Sequence, residues 1–156
     1  MLRLAIGKAA AKAHPGEIVL AADTVVVIDG DLLGKPGDPA DARRMLGRIA
    51  GREHTVLTAV AITEPNTEPN TEPGRGRHAS AVASSRVRMA ALTPEEIAWY
   101  VETGEPLDKA GSYAVQGLGA LFVEEVFGNY TNVVGLPLPL TYRLFRELGY
   151  ELLDFR

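Results

Sequence analysis

The sequence predicts an α/β domain: an elongated mixed sheet flanked by helices, in a single domain over residues 1–156. Three observations predict it. Residues 18–28 and 53–63 are long, nearly continuous apolar runs rich in Val, Ile and Thr, the composition of strands buried in a sheet. Between and after them lie segments with apolar residues three and four apart, the helical period. Asp29-Gly30 is a two-residue hairpin signal, so at least one strand pair is antiparallel and the sheet is not wholly parallel.

The elements follow in order. Residues 2–13 are rich in Ala, Leu and Lys and read as a helix that Pro15-Gly16 stops. Residues 18–28 read as a long strand buried on both faces, and Leu32-Leu33 begins the return strand. Asp38-Pro39 is a helix start, with Asp38 as N-cap and Pro39 in the first helical position. That helix carries Ala42, Met45, Leu46 and Ile49 on one face and ends at Gly51. A second long strand covers 53–63. Thr-Glu-Pro-Asn then occurs at 63–66 and 67–70, followed by Thr71-Glu-Pro-Gly74. Three prolines without a large apolar residue make no core element, so about 63–78 reads as an exposed loop without chemistry. A strand resumes near 79–90. Thr93-Pro-Glu-Glu96 is a capping box opening a helix that ends near Thr103-Gly104. Residues 105–120 read as a glycine-rich loop and 121–127 as a strand. Polar turn residues then precede a short apolar strand, and a last helix spans roughly 138–148.

Composition bounds the function. At 156 residues, 46% hydrophobic and 23% charged, the chain has the balance of an ordinary globular domain. Its net charge of −4 argues against nucleic acid as a partner but leaves room for a phosphorylated small molecule. Cysteine is absent, which excludes disulfides and thiolate metal sites and suits a reducing cytoplasm. No apolar run reaches membrane-spanning length, and the N-terminus lacks the plan of a signal peptide. His14, His54 and His78 are too far apart for a zinc site. Neither a Walker-type phosphate loop nor a dinucleotide-binding glycine fingerprint is present.

Four positions carry the possible chemistry. Asp23 is a carboxylate inside an apolar strand, a costly placement unless something binds it. It is either braced by backbone amides or a lysine, or it is a base or metal ligand lining a cleft. Thr24 beside it is the strand's hydroxyl. Lys35 in Leu33-Gly-Lys-Pro36 stands on a stiff turn, where it is a surface lysine or a group for a phosphate oxygen. Gln116 ends a stretch that turns apolar at Tyr113-Ala-Val115, as a pocket wall would. Its amide both donates and accepts, as reading a base edge requires.

Taken together, the segments resemble the Maf family of nucleoside triphosphate pyrophosphatases. The matching pieces are Ala21-Ala-Asp-Thr-Val-Val26, Gly34-Lys-Pro36, Gly51-Arg-Glu-His-Thr-Val56, Tyr100-Val-Glu-Thr-Gly-Glu105, Asp108-Lys-Ala-Gly-Ser-Tyr113, Gln116-Gly117 and Asn132-Val-Val-Gly-Leu-Pro137. They occur in the family's order across nearly the whole chain, and Gln116 with Asn132-Val-Val-Gly resembles the branch acting on dTTP and UTP. The resemblance implies a fold similar to inosine triphosphate pyrophosphatases, with a cleft between two lobes, and a homodimer. It also implies a divalent cation, magnesium or manganese, and release of a nucleoside monophosphate and pyrophosphate. By position it makes Asp23 the proton acceptor, Thr24 and Gln116 specificity positions, and Lys8 and Lys35 phosphate-site residues. The resemblance begins inside the family's first helix. The family's first strand and its Ser-x-x-Arg-Arg loop have no counterpart in the sequence, the expected cause being a misplaced start or a shortened chain. A second expectation therefore stands beside the first: a nucleotide-binding protein impaired in catalysis, regulatory in cell division.

Overall fold

In a computed structural model, the structure describes Ala5, Gly7 and residues 17–64 and 77–154. The five strands are β1 (Val19–Ile28), β2 (Asp31–Leu33), β3 (Glu53–Thr63), β4 (His78–Met89) and β5 (Val123–Phe127). The helices are α1 (Pro39–Ile49), α2 (Pro94–Glu102), α3 (Tyr130–Val134) and α4 (Leu138–Glu147). The strands form one open sheet in the order β2-β1-β3-β4-β5. The α/β class holds, but the described strands run antiparallel rather than mixed.

Local sequence explains each junction. Asp29 and Gly30 both have positive φ (53° and 82°), the conformation of a two-residue hairpin turn, and pair Ile28 with Asp31 and Val26 with Leu33. Asp38 caps α1 by accepting the Asp41 N–H at 2.7 Å, with Pro39 in the first turn. The capping box of α2 is closed in both directions: Glu96 N–H donates to Thr93 Oγ1 at 3.2 Å and Thr93 N–H to Glu96 Oε2 at 2.8 Å. At the end of α4, Gly149 takes φ 88°, and Tyr150 N–H reaches back to the Phe145 carbonyl at 3.0 Å. That is a glycine-terminated helix end of the Schellman kind.

The chain divides into two compact units. One comprises Met1–Asp23, Thr58–Ala83 and Gly135–Arg156, the other Thr24–Leu57 and Ser84–Val134. The first unit packs Leu140, Leu144 and Leu148 against Val60, Ile62 and Ala79. At its β3–β4 connection, Glu64 N–H donates to the Arg77 carbonyl at 2.9 Å. The Arg77 guanidinium grips the Glu64 carboxylate with two 2.7 Å bonds and donates to the Leu148 carbonyl at 2.9 Å. The second unit has the larger core, with Met45, Leu46 and Ile49 of α1, Ile97 and Tyr100 of α2, Val56, Val87 and Met89 from the sheet, and Phe122. Tyr100 and Phe122 meet edge to face at 5.5 Å.

Three expectations are corrected. The strand at 19–28 is not buried on both faces: only Val26 and Ile28 are buried, and Leu20 is 39% exposed. The return strand β2 pairs with Val26–Ile28. Residues 118–122 form a 3-10 turn before the strand, which starts at Val123. The expected apolar strand after Gly128 is the short helix α3. Asn129 is the reason: its side-chain oxygen accepts the Asn132 N–H at 2.8 Å and the Thr131 hydroxyl at 2.6 Å, starting a helical turn. The helix read at 2–13 and the repeat within 65–76 lie outside the described residues, apart from Ala5 and Gly7, which are helical.

Candidate active site

Asp23 and Thr24 are consecutive in β1, both half-buried, and each has a partner. Asp23 closes a segment of the first unit; Thr24 opens the second. Strand alternation turns consecutive side chains to opposite faces of β1. Lys35 and Gln116 are exposed in the second unit. Lys8 lies outside the described residues.

The structure joins the Lys35 turn to the Asp108-Lys-Ala-Gly-Ser-Tyr113 loop. Gly111 N–H donates to the Gly34 carbonyl at 3.0 Å, one residue from Lys35. Gly111 has φ 68°, and a Cβ there would lie 2.5 Å from Val26 Cγ2, so glycine lets the loop lie flat on β1. Asp108 marks a cationic neighbourhood. The hydrogen bond from Lys109 Nζ, at 2.5 Å, and the charges of Lys109 and Lys35 hold its carboxyl below the usual range. Lys109 is thus a second ammonium acting with Lys35 on Asp108, one that sequence reasoning did not select. Its signal lay in the same matching segment, but spacing alone does not pair it with a lysine 74 positions earlier.

The wall carrying Gln116 is built from groups the sequence reading also missed. Tyr100 Oη donates to Glu105 Oε1 at 2.7 Å, and Ala114 N–H donates to Tyr100 Oη at 3.1 Å. Glu105 in turn accepts the N–H groups of Leu118 and Gly119, each at 2.9 Å. Burial and the donated bond push the Tyr100 phenol far up, so it stays protonated. Nearby, Tyr113 Oη and His54 Nε2 are 2.8 Å apart in the core, where burial pulls the imidazole down to about 4. Asn132 anchors α3 itself. Its amide donates to the Val56 carbonyl at 3.1 Å and to Ser85 Oγ at 3.0 Å.

Among the described residues no three metal-ligating side chains cluster. A hard cation taken up with a triphosphate needs only one or two protein carboxylates, the remaining ligands being phosphate oxygens and water.

Comparison with known proteins agrees in extent and kind. A family profile described as Maf-like protein matches residues 1–148. A dTTP/UTP pyrophosphatase of Anaeromyxobacter sp. (strain Fw109-5) is 52% identical over 151 residues, 96% of this chain and 70% of that protein. A dTTP/UTP pyrophosphatase of Symbiobacterium thermophilum is 48% identical over 152 residues, 96% of this chain and 73% of that protein. One from Gloeobacter violaceus is 50% identical over 145 residues, 92% of this chain and 71% of that protein.

Proposed function

Because the chain belongs to the Maf family, we infer that it is a nucleoside triphosphate pyrophosphatase acting on dTTP and UTP. The observation that carries this is identity of about half the residues, over nearly the whole chain, to proteins named for that activity. Water adds to phosphorus at the α–β phosphoanhydride, the bridging bond breaks, and nucleoside monophosphate and pyrophosphate leave. Such a reaction needs an oriented water and neutralised phosphates, because charge spread over the phosphate oxygens dominates the barrier.

This chain's residues take those parts as follows. Asp23 orients the water and accepts its proton. Lys35 supplies fixed positive charge, as does Lys8; Lys109, paired with Asp108, also acts with Lys35 on that carboxylate. Thr24 and Gln116 set the base preference. A divalent cation, magnesium or manganese, would neutralise phosphate charge; Asp23 is the carboxylate that would hold it, as the alternative to its role as base. The resemblance supports a homodimer. A cytoplasmic location suits the absence of cysteine, and no helix among the described residues is long and apolar enough to cross a membrane.

The test is direct. The purified chain with dTTP or UTP and magnesium should release one pyrophosphate per monophosphate; absence of both products refutes the reading. Asp23→Asn should lower turnover at least about a hundredfold with an unchanged circular dichroism spectrum. A variant that retains normal turnover removes Asp23 from the mechanism.

A further inference from the structure

We propose that Glu105 is a positioning residue for Gln116: its carboxylate holds the backbone after the glutamine directly and the backbone before it through the Tyr100 phenol, and so fixes where the amide meets a base. The proposal rests on the pyrophosphatase reading above and concerns how that site selects its base. Glu105 follows Gly104, whose φ of 80° turns the chain out of α2. Its carboxylate accepts three donors, from Tyr100 Oη at 2.7 Å and from the Leu118 and Gly119 amides at 2.9 Å. Tyr100 Oη takes the Ala114 N–H at 3.1 Å. Residues 114 and 118–119 are thus tied to one carboxylate and one phenol, with Gln116 on the span between.

The glycines of Gln116-Gly-Leu-Gly119 belong to the same device. A Cβ at Gly117 would lie 2.1 Å from Glu105 Oε2, and one at Gly119 would lie 2.5 Å from Tyr100 Oη. Real Cβ contacts do not fall below 3.0 Å, so the carboxylate and phenol sit there only because both residues are glycine. Burial raises the Glu105 carboxyl, but the bonds from Tyr100, Gly119 and Leu118 outweigh it and keep the group ionised. Three donors converging on one carboxylate mark a group that holds structure rather than one that waits for substrate.

Base selection explains why the hold matters. Thymine and uracil present a ring N–H beside a carbonyl; cytosine presents a bare ring nitrogen beside an amino group. A glutamine amide carries both a donor and an acceptor and, turned end for end, suits either base. It discriminates only where its approach is fixed, because the wrong base then leaves buried polar groups unpaired.

Glu105→Gln keeps the shape but places an amino donor where donors already converge. The measurement is kcat/KM for dTTP and for dCTP in the wild type, Glu105→Gln, Gln116→Ala and the double variant. Glu105→Gln should lower the dTTP-over-dCTP preference about tenfold. In the Gln116→Ala background it should change that preference less than about twofold. An unchanged preference, or an equal loss in both backgrounds, overturns the proposal. Hydrogen exchange at the Leu118 and Gly119 amides should also quicken in Glu105→Gln, and unchanged exchange overturns it too. If the wild type hydrolyses neither dTTP nor UTP, the pyrophosphatase reading falls, and exchange alone decides whether Glu105 holds the loop. Should Glu105→Gln not fold, Tyr100→Phe removes one donor and the Ala114 acceptor and is read the same way.

Discussion

Burial decides the chemistry of His54. The side chain is 3% exposed, and its Nδ1 has no hydrogen-bond partner among the described residues. With a folded pKa of about 4 against an ordinary 6.5, it is neutral in the fold and charges readily only when the chain unfolds. The unfolded state therefore binds the extra proton between those values, so stability is full above pH 6.5 and falls as the pH drops toward 4. His54→Gln should reduce the loss of stability between pH 7 and pH 5 by roughly 2 kcal/mol, read from urea midpoints at the two pH values. Gly111 makes the opposite demand, for space. Gly111→Ala combines a left-handed φ with a clash on Val26 and should cost about 2–4 kcal/mol in a urea titration. Single residues were unevenly legible in the sequence. Asp23 stood out because a carboxylate in an apolar run is costly. Glu105 did not, because an acid beside a glycine and a proline resembles any surface turn. Its importance appears only when amides 13 and 14 residues later fold back onto it.

Elements with a local signal were read nearly to the residue. β3 occupies 53–63 as its composition indicated, and α2 begins where Thr93 and Glu96 place a capping box. Thr93→Ala should destabilise the protein by about 1 kcal/mol, measured by thermal denaturation, because it leaves the Glu96 N–H without its acceptor. Elements decided by distant or competing contacts were misread. Val133-Val134 has strand composition, but the cap from Asn129 and the buried anchor of Asn132 on Val56 and Ser85 hold a helical turn instead. The apolar run of β1 suggested full burial, yet burial depends on neighbouring strands that composition does not reveal.

At the scale of the whole molecule, one sheet serves two hydrophobic cores, since β1, β3 and β4 each contribute residues to both units. Trp99, the single tryptophan, reports on the second unit, whereas circular dichroism reports on all of the chain. Leu144→Ala in the first core and Leu46→Ala in the second should each cost about 2–5 kcal/mol. Leu46→Ala should therefore lower the urea midpoint read by Trp99 fluorescence, and Leu144→Ala the midpoint read by dichroism. The α/β class was legible in the sequence; the division into two cores was not, because an apolar strand residue does not declare which core it joins. The clasp of Glu64 and Arg77 has a consequence for inheritance. It joins Glu64 and Arg77, which flank residues 65–76, so a change in copy number changes the length of a loop whose ends are already closed. Doubling such a loop costs only about 0.6 kcal/mol of closure entropy. A copying slip that adds or removes one repeat unit keeps the reading frame. The tract can therefore lengthen or shorten over generations while selection on the enzyme scarcely notices.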